Sequence, residues 1–330
     1  MALLQFDTKG IYCAQADVYI DPWRPVKKAL ITHGHSDHSR AGHEAYLCTH
    51  SSAPIIQSRI PKASIQSLAY GETLGINGVQ FSFHPAGHIL GSAQIRVAYQ
   101  GEVWVVSGDY KLHHDGLSEP FEPVPCEHFI TESTFGLPVY KWPEPKKVHQ
   151  QIQDWWLANT LKGVVSVVSA YSLGKAQRVL AQLDAGLGPL FVHSAVYDMN
   201  AIYRAQGLRL PDAPLVPNEK NRDVFKNALI IAPPAALSQA FLKRLGPYEL
   251  AMASGWMAIR GARSRSWAEK GFVLSDHADW PALNEAVKAC GAQKVYVTHG
   301  YQDAFARWLN ESGIEAVAVR TLYQGEADTQ

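Results

Sequence analysis

Thr32-His33-Gly34-His35-Ser36-Asp37-His38 decides the reading of this chain. Three histidines and an aspartate fall within six positions, directly after the apolar run Ala29-Leu30-Ile31. That places metal-binding side chains where a short buried strand ends. Imidazole and carboxylate together suit borderline cations such as zinc, and the tight spacing lets one loop serve two ions. Desolvating four such polar groups together without an ion would be costly.

Working outward, the same grammar recurs: a short β-rich run, then a His, Asp or Glu at its C-terminal end. Gly78 to His84 alternates as a half-buried strand and runs into Pro85-Ala86-Gly87-His88. Gln94 to Tyr99 and Val103 to Val106 are strands separated by the hairpin turn Gln100-Gly101, the second ending at Ser107-Gly108-Asp109. Phe129-Ile130 leads into Thr131-Glu132-Ser133-Thr134. Near the C-terminus, Gly271 to Leu274 precedes Ser275-Asp276-His277, and Lys294 to Val297 precedes Thr298-His299-Gly300. In layered α/β folds, ligands collect beyond such strand ends. Ile11 to Ile20 reads as one strand, closed by Asp21-Pro22.

The middle of the chain changes character. Helix-like and strand-like runs alternate from Val148 to Gln206 and again from Ala228 to Leu245, the cadence of a parallel sheet with covering helices. If the two ends share a site, this stretch is an insertion. The expected organisation is a core in two parts, 1–139 and 271–330, around an inserted domain at 140–270.

Composition bounds the rest. A chain of 330 residues, 47% hydrophobic and 18% charged, is globular rather than disordered. Thirty Lys plus Arg balance thirty Asp plus Glu, so any nucleic-acid contact must rest on charge gathered locally. Cys13, Cys48, Cys126 and Cys290 are scattered without a C-x-x-C pair, which fits reduced thiols and argues against a cysteine metal site. With no basic-then-apolar leader and no run of membrane-spanning length, the expectation is a cytoplasmic protein without membrane attachment.

A two-metal hydrolytic site needs enough ligands for each ion and a shared bridge. His33, His35 and His88 divide naturally to one ion, and Asp37, His38 and His299 to the other, with Asp109 between. Asp21 could orient a ligating histidine from behind, a role for which Asp17 competes. His84, His113, His114, His128, His149 and His193 have no such company and read as ordinary polar residues.

The motifs resemble a known family. His33-Gly34-His35-Ser36-Asp37-His38 is similar to the H-x-H-x-D-H signature of the metallo-β-lactamase fold. Gly87-His88 with Gly91-Ser92, and Ser107-Gly108-Asp109, resemble its next two ligand motifs in the expected order. Glu132, His277 and His299 resemble three further motifs of the β-CASP nuclease branch, whose inserted cap falls between the first two. In particular the chain resembles the compact bacterial exonucleases associated with DNA ligases.

That resemblance implies an α/β fold, an αββα metallo-β-lactamase sandwich with an inserted α/β β-CASP-type cap, and substrate running along the cleft between them. It implies two divalent ions, zinc with manganese as the alternative, and hydrolysis of DNA phosphodiester bonds from an end by a bridging hydroxide, in DNA repair. Asp37, Asp109, Glu132 and His277 would be the catalytic residues, His277 contacting the scissile phosphate or protonating the leaving oxygen and Glu132 orienting it. A DNA ligase or helicase is the implied partner. One motif departs: DNA-processing members usually carry an apolar residue where this chain has His299, whereas RNA-processing members carry histidine. Ala253-Ser254-Gly255-Trp256 is closer to the DNA branch. A ribonuclease is therefore the alternative, with a small-molecule hydrolase and a non-catalytic nucleic-acid-binding subunit as more distant rivals.

Substrate contacts can be read locally. Ser169, Ser172 and Lys175 lie where a strand ends and a helix opens, so hydroxyls, backbone N–H groups and a lysine could converge on a phosphate. Trp256 with Arg260, Arg263 and Arg265 begins the densest basic-aromatic stretch, a pattern that suits stacking on single-stranded nucleic acid.

Overall fold

The computed structural model describes residues 2–218, 221–259 and 268–322. They form two compact units, Met1–Tyr140 with His277–Gln330, and Lys141–Asp276.

The first unit holds two sheets. One has six strands in chain order: Gln5–Phe6, Ile11–Cys13, Val18–Ile20, Lys28–Leu30, Ala45–Thr49 and Ile65–Leu68. The other has seven, running across the sheet as Glu315–Ala318, Lys294–Thr298, His128–Glu132, Glu102–Val106, Ala93–Tyr99, Val79–Pro85 and Thr73–Ile76. Period-two alternation sorts their side chains onto two faces. Trp104, Val106 and Ile130 join Val18, Leu30 and Leu47 in a core shared by both sheets. Their neighbours Val105 and Phe129 point the other way, with Val295 and Val297, against the helices Trp280–Cys290 and Gln302–Glu311. The helix Ala53–Arg59 covers the far face of the first sheet through Ile56, against Ala29, Tyr46 and Cys48. Each fully buried Leu, Ile, Val or Phe contributes about 1.5–3 kcal/mol, so these layers fix the strand ends firmly.

The region Ile11–Ile20 is a hairpin rather than one strand. Ile11 pairs with Ile20 and Cys13 with Val18, the chain turning through Asp17 at φ 52°. Gln100 and Gly101, at φ 51° and 89°, close the expected hairpin, and Tyr99 faces Glu102 across it.

In the second unit five parallel strands run across the sheet as Leu190–Val192, Leu229–Ala232, Val165–Ser169, Tyr248–Ala253 and Lys270–Phe272. The strands Val165–Ser169 and Leu229–Ala232 are buried at every position, as a sheet covered on both faces requires. Gly271 to Asp276, expected in the last part of the core, lie in this unit. Phe272 and Leu274 sink into its apolar core beside Ala251 and Ala253, which is why the chain leaves this unit later than the sequence suggested. Among the described residues no helix is long and apolar enough to cross a membrane.

Candidate metal centre

Loops at strand ends of both sheets of the first unit bring the histidines and carboxylates together. Lys28–Leu30 delivers the segment 32–38, which folds back on itself through hydrogen bonds from the His38 and Ser39 amides to the His35 carbonyl, 3.2 and 2.8 Å. Asp21 fixes both ends of that segment. Its carboxylate accepts from the Thr32 amide at 2.8 Å and from Thr32 Oγ1 at 2.5 Å, and lies 2.7 Å from His38 Nδ1. Asp21 itself sits at φ 42°, a strained value for a non-glycine residue that these bonds over-determine. With Nδ1 held by Asp21, His38 presents Nε2 to the site. Asp17, which is exposed, instead accepts from the Tyr12 hydroxyl.

His88 and Asp109 come from the second sheet. The His88 amide donates to Ser92 Oγ at 3.0 Å, and its Nε2 lies 3.0 Å from His35 Nδ1. Asp109 follows Glu102–Val106 through Gly108, at φ 57°. A Cβ on Gly108 would stand 2.6 Å from Thr32 Cβ, so only glycine lets the Asp109 loop close on the histidine segment. His299, at φ 57°, completes the set; Ser133 Oγ donates to its carbonyl, and its ring stacks on His38 with centroids 5.5 Å apart. Gly300 is equally confined, since a Cβ there would lie 2.4 Å from the Ser133 carbonyl oxygen.

Two ligand groups result: His33, His35, His88 and Asp109, and Asp37, His38 and His299. Asp109 Oδ2 lies 3.5 Å from His33 Nε2, 3.8 Å from His88 Nε2 and 3.6 Å from His38 Nε2, so it faces both. Asp37 Oδ2 lies 3.7 Å from His38 Nε2 and 3.9 Å from His299 Nε2. A third group joins Asp109 to Glu132 and His277. There the Glu132 oxygens lie 3.0 and 3.1 Å from His277 Nδ1, and Oε1 also accepts the Tyr110 amide at 2.9 Å. The His277 ring is 4.7 Å from that of His88.

The electrostatics are those of a site short of positive charge. Burial disfavours charge on His38, but Asp109, Asp37 and Asp21 outweigh it and push its pKa up to about 10. Burial pushes Asp109 up to about 7, pulls His299 down to about 4 and holds His33 well below the imidazole range. Glu132 is disfavoured by burial yet kept below its usual value by His277.

A divalent cation fits this donor set. His33 Nε2 and Asp109 Oδ1 are buried and have no hydrogen-bond partner among the described residues. Zinc–nitrogen bonds of about 2.0–2.1 Å imply tetrahedral donor edges near 3.3–3.4 Å. The donor separations above, 3.0 to 3.9 Å, bracket that value. All four cysteines are buried and none belongs to these groups.

The other sequence-derived contacts are elsewhere. Ser169 and Lys175 are buried in the second unit, where the Lys175 ammonium lies 3.7 Å from Asp276 Oδ2 and 4.9 Å from the Tyr171 ring centre. Lys175, expected at a substrate phosphate, thus faces a carboxylate of the protein, and Ser172 is half-buried. Trp256 is half-buried in the turn Gly255–Ala258, while Arg260, Arg263 and Arg265 lie outside the described residues. Thr32, Tyr110, Ser133 and Gly108 were not singled out from sequence. Their partners are 11 to 166 residues away, and only their adjacency to the motif residues marks them.

No family model matches the chain. It is 32% identical over 94% of its length to a probable DNA ligase of Opitutus terrae, of which it spans 30%. Over 36% of its length it is 31% identical to the endoribonuclease YSH1 of Eremothecium gossypii, spanning 16% of that protein. It also matches an RNase J-like protein of Methanocaldococcus jannaschii, 26% identical over 54% of this chain and 50% of that one. A solved structure of a protein of unknown function from Enterococcus faecalis V583 shares the fold at TM-score 0.60, covering 90% of this chain and 79% of that one at 12% identity.

Proposed function

This chain is a relative of the metallo-β-lactamase/β-CASP nucleases, and from that premise we propose that it is a metal-dependent phosphodiesterase, an exonuclease that trims DNA ends in repair. On this reading the first unit is the αββα sandwich and the second the inserted cap. The observation that carries it is the position of Asp109 Oδ2, 3.5 to 3.8 Å from histidines of both ligand groups.

His33, His35 and His88 would hold one divalent ion, Asp37, His38 and His299 the other, and Asp109 both. Zinc suits the imidazole-rich set best, with manganese as the second choice. When bound, such ions supply Lewis-acid polarisation of phosphoryl oxygens and acidify water toward neutrality. The remaining work falls to the protein. Asp21 keeps His38 in the tautomer that offers Nε2. Glu132 holds His277 through Nδ1, so that Nε2 is the atom to contact the scissile phosphate or to hand a proton to the leaving oxygen. Asp37 and Asp109 anchor the charge at which the reaction occurs.

DNA is favoured because the match to the probable DNA ligase runs along 94% of the chain, whereas that to the endoribonuclease covers 36%. The matched stretch is one part of a longer ligase polypeptide, which supports a DNA ligase as partner. A cytoplasmic setting, consistent with four free thiols, belongs to the same proposal. RNA processing is the second reading, favoured by His299 and by the ribonuclease relatives. A time course on end-labelled DNA and RNA, before and after chelation and metal add-back, tests both. Stepwise loss of nucleotides from DNA ends is the expected result. Preferential RNA cleavage would overturn the substrate, and metal-independent activity the mechanism.

A further inference from the structure

Two arginines flank the ligand segment of the first unit, and they are engaged very differently. Arg40 donates Nε to the Asp37 carbonyl at 3.3 Å, Nη1 to the Trp23 carbonyl at 3.5 Å and Nη2 to the Leu322 carbonyl at 3.0 Å. Its guanidinium is a brace for the chain. Arg59 ends the helix Ala53–Arg59, is exposed, and donates Nη1 to the carbonyl of Gly34, between the ligands His33 and His35. Burial of part of the side chain works against its charge, and the Asp37 carboxylate of the same loop favours it. A guanidinium carries five N–H donors in a planar fork. Among the described residues, Arg59 therefore keeps most of that fork uncommitted at the edge of the candidate centre.

We propose that Arg59 grips a backbone phosphate of the polynucleotide adjoining the one that is cleaved, and so sets the preference for a polymer over a single phosphodiester. The inference rests on the phosphodiesterase reading above. The scissile phosphate belongs with the ligand atoms, whereas Arg59 is tethered to the outer edge of their loop, one residue from either histidine. A planar fork fixed at one nitrogen is pre-aimed, and arginine pairs with phosphate oxygens through two parallel N–H bonds. Helix Ala53–Arg59 is anchored by Ile55 and Ile56, both fully buried, so its last turn is a rigid mount.

Arg59→Gln is the informative variant, because it keeps a polar side chain with an amide donor while the charge and fork are lost. Arg59→Lys keeps the charge only. The experiment compares kcat/KM on a single-stranded oligonucleotide with kcat/KM on bis(p-nitrophenyl) phosphate, which carries one phosphate. It also measures bound metal and binding of a fluorescent oligonucleotide across salt concentrations. For R59Q the ratio of the two specificities should fall about tenfold, through KM for the oligonucleotide, with R59K between it and the parent. The slope of log affinity against log salt should flatten by about 0.7, one phosphate contact on a single strand. Metal content should be that of the parent. An unchanged ratio, equal oligonucleotide affinity for parent and R59Q, or loss of metal would each overturn the proposal and make Arg59 a second brace. If the parent cleaves neither substrate, the nuclease reading fails instead, and the binding comparison still decides the role of Arg59.

Discussion

The two units each bury a cluster of charged and polar side chains at strand ends, and the two clusters end differently. In the second unit Lys175 and Arg178 converge on Asp276, with Arg178 Nη1 2.7 Å from Oδ1 and Lys175 Nζ 3.7 Å from Oδ2. Two cations meet one carboxylate, and the Ser275 carbonyl also accepts from Arg178. In the first unit Asp109, Asp37 and Asp21 favour the charged form of one imidazole, His38, while His33 Nε2 and Asp109 Oδ1 have no hydrogen-bond partner among the described residues. Burying charge is tolerable only when it is paired or bound to a cation. The cluster of the second unit is answered by a carboxylate of the protein itself; the donor set of the first unit is one that could hold a metal ion. Density of polar residues alone does not separate a site from a staple.

The contrast can be broken most severely at Asp109. Asp109→Ala should reduce phosphodiester hydrolysis by about a thousandfold or more, since several kcal/mol of charge stabilisation depends on the ions it joins. Its far-ultraviolet circular dichroism should match that of the parent. Full activity in a folded Asp109→Ala protein would remove the shared carboxylate from the account. Asp276→Asn should do the reverse, lowering unfolding free energy in urea by about 3–5 kcal/mol because two buried cations lose their carboxylate. Metal content should stay at the parent level; a loss of metal with no loss of stability would contradict the division drawn here.

Smaller effects sharpen the same division. Asp21→Asn leaves a hydrogen-bonding side chain but removes the carboxylate that orders His38, and should weaken metal affinity about 10–100-fold. Competition titration against a chromophoric chelator would measure it. Metal affinity should also depend on pH, with a definite sign. In the metal-free protein His38 is raised to about 10 and Asp109 to about 7, so both hold protons that a cation must displace. Affinity should therefore rise with pH, most steeply below about 7 and more gently toward about 10. His299, lowered to about 4, contributes no such competition at neutral pH. A flat profile from pH 6 to 9 would show that the protons lie elsewhere.

How much of this was legible in the sequence follows from how local each signal is. The segment from His33 to His38, Gly87-His88, Ser107-Gly108-Asp109 and Thr298-His299 carry their chemistry in adjacent residues behind short apolar strands, and the structure brings all of them to two ligand groups. Asp17 and Asp21 could not be separated by sequence, because the choice depends on Asp21 turning at φ 42° to meet Thr32 and His38. The pairing of Lys175 with Asp276 could not be read from sequence, because the two are 101 positions apart and leave no local pattern. The single strand expected from Ile11 to Ile20 failed for the opposite reason. A tight turn at residues 14–17 is built without glycine, and the apolar pattern on both sides reads through it.

The account stands most directly on the number of ions that the intact chain holds. Native mass spectrometry of protein equilibrated with zinc, after removal of loosely bound metal, should show two ions per chain, falling to one or none in Asp109→Ala. A single ion in the parent, or two ions retained when Asp109 is gone, would contradict a centre in which one carboxylate serves both groups.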